Sequence, residues 1–413
     1  MILRSLAGLR GCAAASLFCV SWLLSGPASA DLLERYEVRP ERSFQFPLLD
    51  PEQPARQGPT VFDFLADGRL VAIATLDSDP GVPFGDGTPL VLIETAPGSR
   101  VFSSRGQLPL APSAGWKDYG PSFVRVSPGG GRLAVSDNQG RIGIFDTAEL
   151  EDLSTAAPRW YRQDHFAGAW LDENQLALSF GFAPAGVGIL DVTSPLEAPQ
   201  FDPVVGGIAG AAADVALDAD GNLYTGNGYS SDFVGTRTGQ VKRFAAADWE
   251  AARTNGPLDF ESAPLLTQYS SAGTLLADME GNLVIAGGRS DAPLAASNGL
   301  AIFRPADGAL REFDPNDVNN ASGNFYVAVR NRLSGEIFVN EPFQLDTQNG
   351  NSDIRRVHVI SPHVPEPSSL LLALAGLACL PLARRFLGRR PARISAGCRG
   401  EVSGTAACRI PRW

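Results

Sequence analysis

Val215-Ala-Leu-Asp-Ala-Asp-Gly-Asn-Leu223-Tyr224 reads as a β run, a tight turn and a second β run. The central Asp, Gly and Asn make a tight turn between the two runs, so the stretch predicts a hairpin. The same order of residue types returns in Val61-Phe-Asp-Phe-Leu-Ala-Asp67-Gly68-Arg69-Leu70-Val-Ala-Ile-Ala74 and Phe123-Val-Arg-Val-Ser-Pro-Gly-Gly-Gly-Arg-Leu133-Ala-Val135. It returns again in Ala169-Trp-Leu-Asp-Glu-Asn-Gln-Leu176-Ala-Leu178, Leu275-Leu-Ala-Asp-Met-Glu-Gly-Asn-Leu283-Val284 and Val327-Ala-Val-Arg-Asn-Arg-Leu-Ser-Gly-Glu-Ile337-Phe338. The apolar residue after each turn falls at 70, 133, 176, 223, 283 and 337, at intervals of 63, 43, 47, 60 and 54 residues.

Such intervals bracket the length of one four-stranded propeller blade with its loops. A third strand is expected at 90–94, 141–145, 186–190, 240–244, 300–303 and 355–360, and a fourth at 100–103 and 309–313, the others being blurred. Strands apolar on both faces suit sheets packed between neighbours in a radial stack. The expected fold is therefore all-β: a β-propeller of six blades, with seven the alternative count and two stacked sandwiches the rival architecture. Only 245–253 has a helical pattern, inside a connection. Strand candidates at 35–38 and 43–48 are placed to complete the last blade beside 355–360 and so close the ring. The hairpin pattern resembles the broad class of exported six- or seven-bladed propellers, including the NHL, WD40-like and lactonase-type groups. It carries no single group's diagnostic motif.

Both ends of the chain read as targeting segments. Residues 1–30 have Arg4 and Arg10, an apolar core at 12–24 and the small residues Ala28-Ser29-Ala30, the pattern of a secretory signal peptide cut after Ala30. Cys12 and Cys19 lack a convincing lipidation context. At the other end Val364-Pro365-Glu366-Pro367-Ser368-Ser369 makes an extended strap, followed by an uncharged run at 370–383 and then by Arg384, Arg385, Arg389 and Arg390. With its two serines the run reaches roughly the lower limit for crossing hydrocarbon as a transmembrane helix, and the arginines hold its far end in the cytoplasm.

The order of strap, apolar run and basic cluster over 364–390 resembles the PEP-CTERM sorting signal of exosortase substrates. Pro365, Glu366 and Pro367 stand on its motif, and Arg384 and Arg385 on its basic cluster. The resemblance covers about the last tenth of the chain. It implies that a membrane-embedded exosortase cuts near the motif and passes the exported part to the cell envelope or an extracellular polymer. Signal peptidase and the Sec export machinery are then earlier partners, and the localisation is a transient inner-membrane anchor followed by release to the envelope or extracellular space. The chain departs from the pattern in continuing through 391–413, read as a disordered cytoplasmic tail, where family members usually stop soon after the arginines. An ordinary C-terminal anchor is the bland alternative.

Composition narrows what the exported body, 31–363, can do. All five cysteines lie outside it, which excludes a disulfide framework, thiolate metal sites and cysteine nucleophiles there. The segment 31–383 holds 24 basic against 44 acidic residues, a charge near -20, which argues against nucleic acid or anionic lipid as a partner.

Four charged residues on or beside the innermost strands, Asp63, Arg125, Asp214 and Arg330, are odd in sites packed between sheets. They are the candidates for a mixed-charge site at the channel, or for ion pairs lining its axis. Asp218-Ala-Asp220-Gly221-Asn222 alternates oxygen-bearing side chains as a calcium loop does, yet Tyr229 stands where a bidentate acid is needed, so the stretch reads as a turn. Of the three histidines, neither His165 nor His358 is accompanied by a nucleophile-elbow sequence, and His363 belongs to the strap. No catalytic residue, metal ligand or cofactor is assigned. The expected role is a non-enzymatic binding or surface-assembly module, with extracellular polysaccharide or other matrix components as its partner class. The alternative is a propeller hydrolase of lactonase or phosphoesterase type, dependent on a divalent cation such as calcium.

Overall fold

Each of the six hairpins forms, and each is the inner pair of strands of its own sheet. The computed structural model describes residues 32–47, 57–76, 89–109, 122–136, 140–180, 185–209, 211–229, 239–269, 274–287, 299–313, 327–346 and 350–362. The chain divides into the units 1–363 and 364–413. The expected signal peptide at 1–30, the sorting signal at 364–390 and the tail at 391–413 lie outside the described residues. Among the described residues no helix is long and apolar enough to cross a membrane.

Blade 1 comprises Gln57–Phe64, Leu70–Leu76, Pro89–Glu94 and Phe102–Gln107, from the axis outward. Blade 2 comprises Val124–Val126, Arg132–Ser136, Arg141–Asp146 and Arg159–Arg162; blade 3, Ala167–Trp170, Gln175–Phe180, Ala185–Asp191 and Phe201–Ile208. In blade 4 the inner strand is broken into Ala211–Ala212 and Ala216–Leu217, followed by Leu223–Tyr229, Gly239–Phe244 and Leu265–Tyr269. Blade 5 has Thr274–Ala277, Leu283–Gly287, Gly299–Arg304 and Ala309–Phe313; blade 6 has Val327–Arg330, Ile337–Asp346 and Gly350–Pro362. The expected helix is Ala246–Asn255, in the connection between the outer two strands of blade 4.

Local chemistry explains the hairpins. Gly68, Gly130, Gly221, Gly281 and Gly335 sit in the inner turns with φ between 73° and 83°, where a side chain would be strained. The carboxylates of Asp67, Asp172, Asp218 and Asp278 accept the backbone N–H two residues on, and the side-chain oxygen of Asn331 does the same. The strand after each turn is then buried on both faces, as in Leu70, Val71, Ala72, Ile73 and Ala74. Apolar clusters accordingly lie between neighbouring blades. One joins Val284 and Ile302 of blade 5 to Val339 and Ile360 of blade 6. Another joins Val187 and Ile189 of blade 3 to Val215 and Leu223 of blade 4.

The ring closes through its N-terminal segment. Tyr36–Val38 is the fourth strand of blade 6, antiparallel to Gly350–Pro362 with Val38 opposite Ile360 and Tyr36 opposite Pro362. Phe44–Gln45 pairs further along the same strand, opposite Val357 and Arg356. The buried Tyr36 hydroxyl donates to the carboxylate of Asp278 in the inner turn of blade 5 and accepts from Asn282 Nδ2 at 3.0 Å. Blade 4 builds the same arrangement from its own residues, Tyr224 donating to Asp218 at 2.8 Å. Blade 5 has Val284 where blade 4 has Tyr224, and the closing strand supplies the missing hydroxyl.

Two details depart from expectation. The fourth strand of blade 1 runs over Phe102–Gln107 rather than from 100, because Arg100 takes a left-handed φ of 59° and turns back to pair with the buried Glu94 at 2.6 Å. Blade 3 gains a short parallel edge, Leu258–Asp259 against Val205 and Gly206, which covers hydrogen-bonding groups that would otherwise be open.

Candidate functional site

The six inner strands converge on the axis, and toward the ends that lead into the inner turns they enclose a cavity of about 130 Å³ with lining residues from every blade. Blades 3 and 4 present Ala169 and Ala216 there, which leaves room for long side chains from blades 2 and 6. Charge in this apolar setting comes from Asp63, Arg125, Arg330 and Arg332.

Asp63 is 8% exposed. One of its carboxylate oxygens accepts the N–H of Phe64 at 2.8 Å and the other accepts the N–H of Val126 in blade 2 at 2.7 Å. Burial raises its pKa above the usual carboxylate range, against the pull of the Arg125 guanidinium and the two backbone donors. Asp214, 2% exposed, accepts the N–H of Val215 at 2.8 Å and Nη2 of Arg125 at 3.1 Å. Burial raises its pKa as well, with Arg125 the largest opposing influence.

The Arg125–Asp214 pair runs from blade 2 to blade 4, across the position of blade 3. Arg125 also donates to its neighbour's carbonyl, Val124 O, at 3.0 Å, and its own carbonyl accepts Nε1 of Trp170 at 2.8 Å. Arg332 makes a second strut of the same kind. From the inner turn of blade 6 it reaches past blade 1 and donates to the carbonyls of Val126 and Ser127, at 2.8 and 2.6 Å. Arg330 stays closer to home and donates one Nη to Ala277 O of blade 5 at 3.0 Å. Its buried Nε has no acceptor among the described residues. Burial first, and then the neighbouring charge of Arg332, hold the Arg330 pKa below its ordinary value.

Of the four residues singled out in the sequence, Asp63, Arg125 and Arg330 line the cavity and Asp214 stands behind Arg125 as its ion-pair partner. Arg332 escapes sequence reasoning because an arginine in a polar turn looks like any solvated surface residue. The Asp218 stretch is a turn. Its carboxylate accepts Asp220 N, Asn222 N, Asn222 Nδ2 and Tyr224 Oη, a full complement that stabilises the anion and lowers its pKa despite partial burial. His165 is 5% exposed, edge-on to Phe123, and its Nδ1 donates to Gln163 O at 2.7 Å; His358 is fully buried in the third strand of blade 6. Neither lines the cavity. Among the described residues no group of three or more His, Cys, Asp or Glu side chains is placed to hold a metal ion. Pro365, Glu366, Pro367, Arg384, Arg385, Arg389, Arg390, Ala28 and Ala30 lie outside the described residues.

No protein-family model and no curated protein matches the chain. Among solved structures, the mitotic checkpoint complex aligns with a TM-score of 0.43 and 14% identity over 80% of this chain and 86% of the other. The α-L-arabinanase of Penicillium chrysogenum complexed with arabinobiose aligns with a TM-score of 0.47 and 13% identity over 75% of this chain and 94% of the other. Likeness at this level carries no argument about activity.

Proposed function

We propose that this chain is an exported β-propeller that acts, without catalysis, as a binding or surface-assembly module, and that an exosortase sorts it to the outer envelope or extracellular matrix. The observation that supports this best is the completeness of the ring ahead of the sorting motif. Blade 6 is closed by Tyr36–Val38 and its last strand ends at Pro362, so the six described sheets are complete before Pro365, Glu366 and Pro367 are reached in the sequence. A cut near that motif releases a finished propeller from its apolar anchor.

The signal peptide ending at Ala30 and the arginines after 383 call for the same orientation, with the body outside and the basic end in the cytoplasm. Matrix polysaccharide, for which a rigid disc with polar turns is a suitable receptor, is the partner class. The metal-dependent hydrolase reading needs acids free to take a cation. Here both carboxylates of the axial cluster are engaged by backbone N–H groups or by Arg125.

Intact-mass analysis of the secreted form tests the proposal. A species beginning at Asp31 and ending near Pro367 is expected. A stable exported species that retains Arg384 refutes exosortase processing, and metal-dependent turnover of lactones or phosphoesters by the purified protein refutes the non-enzymatic role.

A further inference from the structure

The three guanidinium groups of the axial cavity are not equally occupied. Arg125 is spent on Asp214 and Val124 O, and Arg332 on two carbonyls of blade 2. Arg330 has one bond, to Ala277 O, while its Nε is shut off from solvent and finds no acceptor among the described residues. A buried donor left unpaired is costly, and proteins retain one where something else completes it. Charge points the same way. The lining itself carries three guanidiniums and the one carboxylate of Asp63, while Asp214 is paired with Arg125 and the buried Asp278 of blade 5 acts on Arg330 without a salt bridge to it among the described residues. Both oxygens of Asp63 are turned to backbone N–H groups, and no salt bridge joins it to Arg330 or Arg332 among the described residues. Two like charges thus face a cavity of about 130 Å³, a volume fit for a few heavy atoms with their water.

We propose that this cavity binds a small oxyanion, a carboxylate or a phosphate group, with Arg330 as the anchor and Arg332 beside it. The inference rests on the binding-module reading and names its ligand class. An oxyanion accepts from Arg330 Nε and relieves the repulsion between two guanidiniums two residues apart. Guanidinium presents a planar set of donors that matches two oxygens of such a group. The net negative charge of 31–383 disfavours polyanions as the ligand and leaves a single small anionic group as the class that fits.

The test is isothermal titration calorimetry on the full chain in mild detergent and low salt, with acetate, malonate, inorganic phosphate and the neutral disaccharide sucrose as separate titrants. Saturable binding of acetate or malonate identifies a carboxylate site, and saturable binding of phosphate alone identifies a phosphate site. Arg330→Gln is expected to weaken either by about tenfold or more, the factor of one charge-assisted hydrogen bond. The surface variant Arg304→Gln is expected to leave it unchanged. If Arg330→Gln does not fold, Arg332→Gln takes its place, with loss of affinity again the expectation. Binding that survives in the variants, or no heat with any anion, overturns the proposal. Saturable binding of sucrose alone overturns the oxyanion while leaving a binding module standing, and chemical turnover sinks the module reading itself.

Discussion

Replacing Tyr36 by phenylalanine removes one hydroxyl from the strand that closes the ring and leaves the buried aromatic ring in place. The lost group donates to the carboxylate of Asp278 in blade 5 and accepts from Asn282. A hydrogen bond to a charged partner contributes about 1.5–3 kcal/mol, and this one is buried, so Tyr36→Phe is expected to cost that much. Unfolding entropy of about 2.1 cal/mol/K per residue over roughly 330 residues converts the loss into a fall in Tm of about 2–4 °C. Tyr224→Phe is the matched control, because Tyr224 makes the same bond to Asp218 within blade 4. Calorimetry should show similar losses for the two variants. Hydrogen exchange should separate them, with faster exchange at Tyr36–Val38 and the strand beside it in Tyr36→Phe only. Equal exchange at the closure in both variants, or a change in Tm within error of zero for Tyr36→Phe, would refute the argument that this hydroxyl fastens blade 6 to blade 5.

Asp63→Asn probes the buried carboxylate through pH. Burial raises the folded pKa of Asp63 above its unfolded value, so as pH falls the native state takes up this proton first. Stability of the wild type relative to Asp63→Asn should rise as pH falls from the raised value to the ordinary carboxylate range, and stay level outside that window; urea unfolding across a pH series would expose the opposite slope. Gly130→Ala should destabilise by about 2–4 kcal/mol, because Gly130 has φ of 77° and an added Cβ would collide with the Cβ of Ala66 in blade 1. A urea midpoint unchanged from wild type would show that the two inner turns are free to separate.

The inner hairpins were readable because their signals are local: a turn glycine, an acid capping the residue two on, and an apolar strand immediately after. Among the outer strands Ala309–Phe313 and the closing Tyr36–Val38 stand where they were expected, but those of blades 2 and 3 were not readable, since half-exposed segments such as Arg159–Arg162 mix charged and aromatic residues, and Phe201–Ile208 carries Pro203 and register shifts. The axial cluster was partly legible, because charge inside an apolar strand is anomalous wherever it occurs, as at Asp63 and Arg125. Arg332 carries no such anomaly. The bond from Tyr36 to Asp278 joins positions 242 apart in sequence, and nothing in the neighbourhood of either residue announces the other. The broken inner strand of blade 4 was likewise hidden, its pairing interrupted between Ala212 and Ala216 beside the buried Asp214.

That the first strand of the fold is hydrogen-bonded to the last bears on how the protein is made. A polypeptide delivered with its N-terminus leading can stack blade upon blade, but Tyr36–Val38 has nothing to zip onto until 350–362 arrive. A prematurely terminated copy is therefore an open horseshoe, its final gap exposing a raw sheet edge and the greasy flank of Leu33 and Tyr36 to proteases. The circular architecture thus works as a check on the propeller itself, in which only a chain delivered through Pro362 can snap shut.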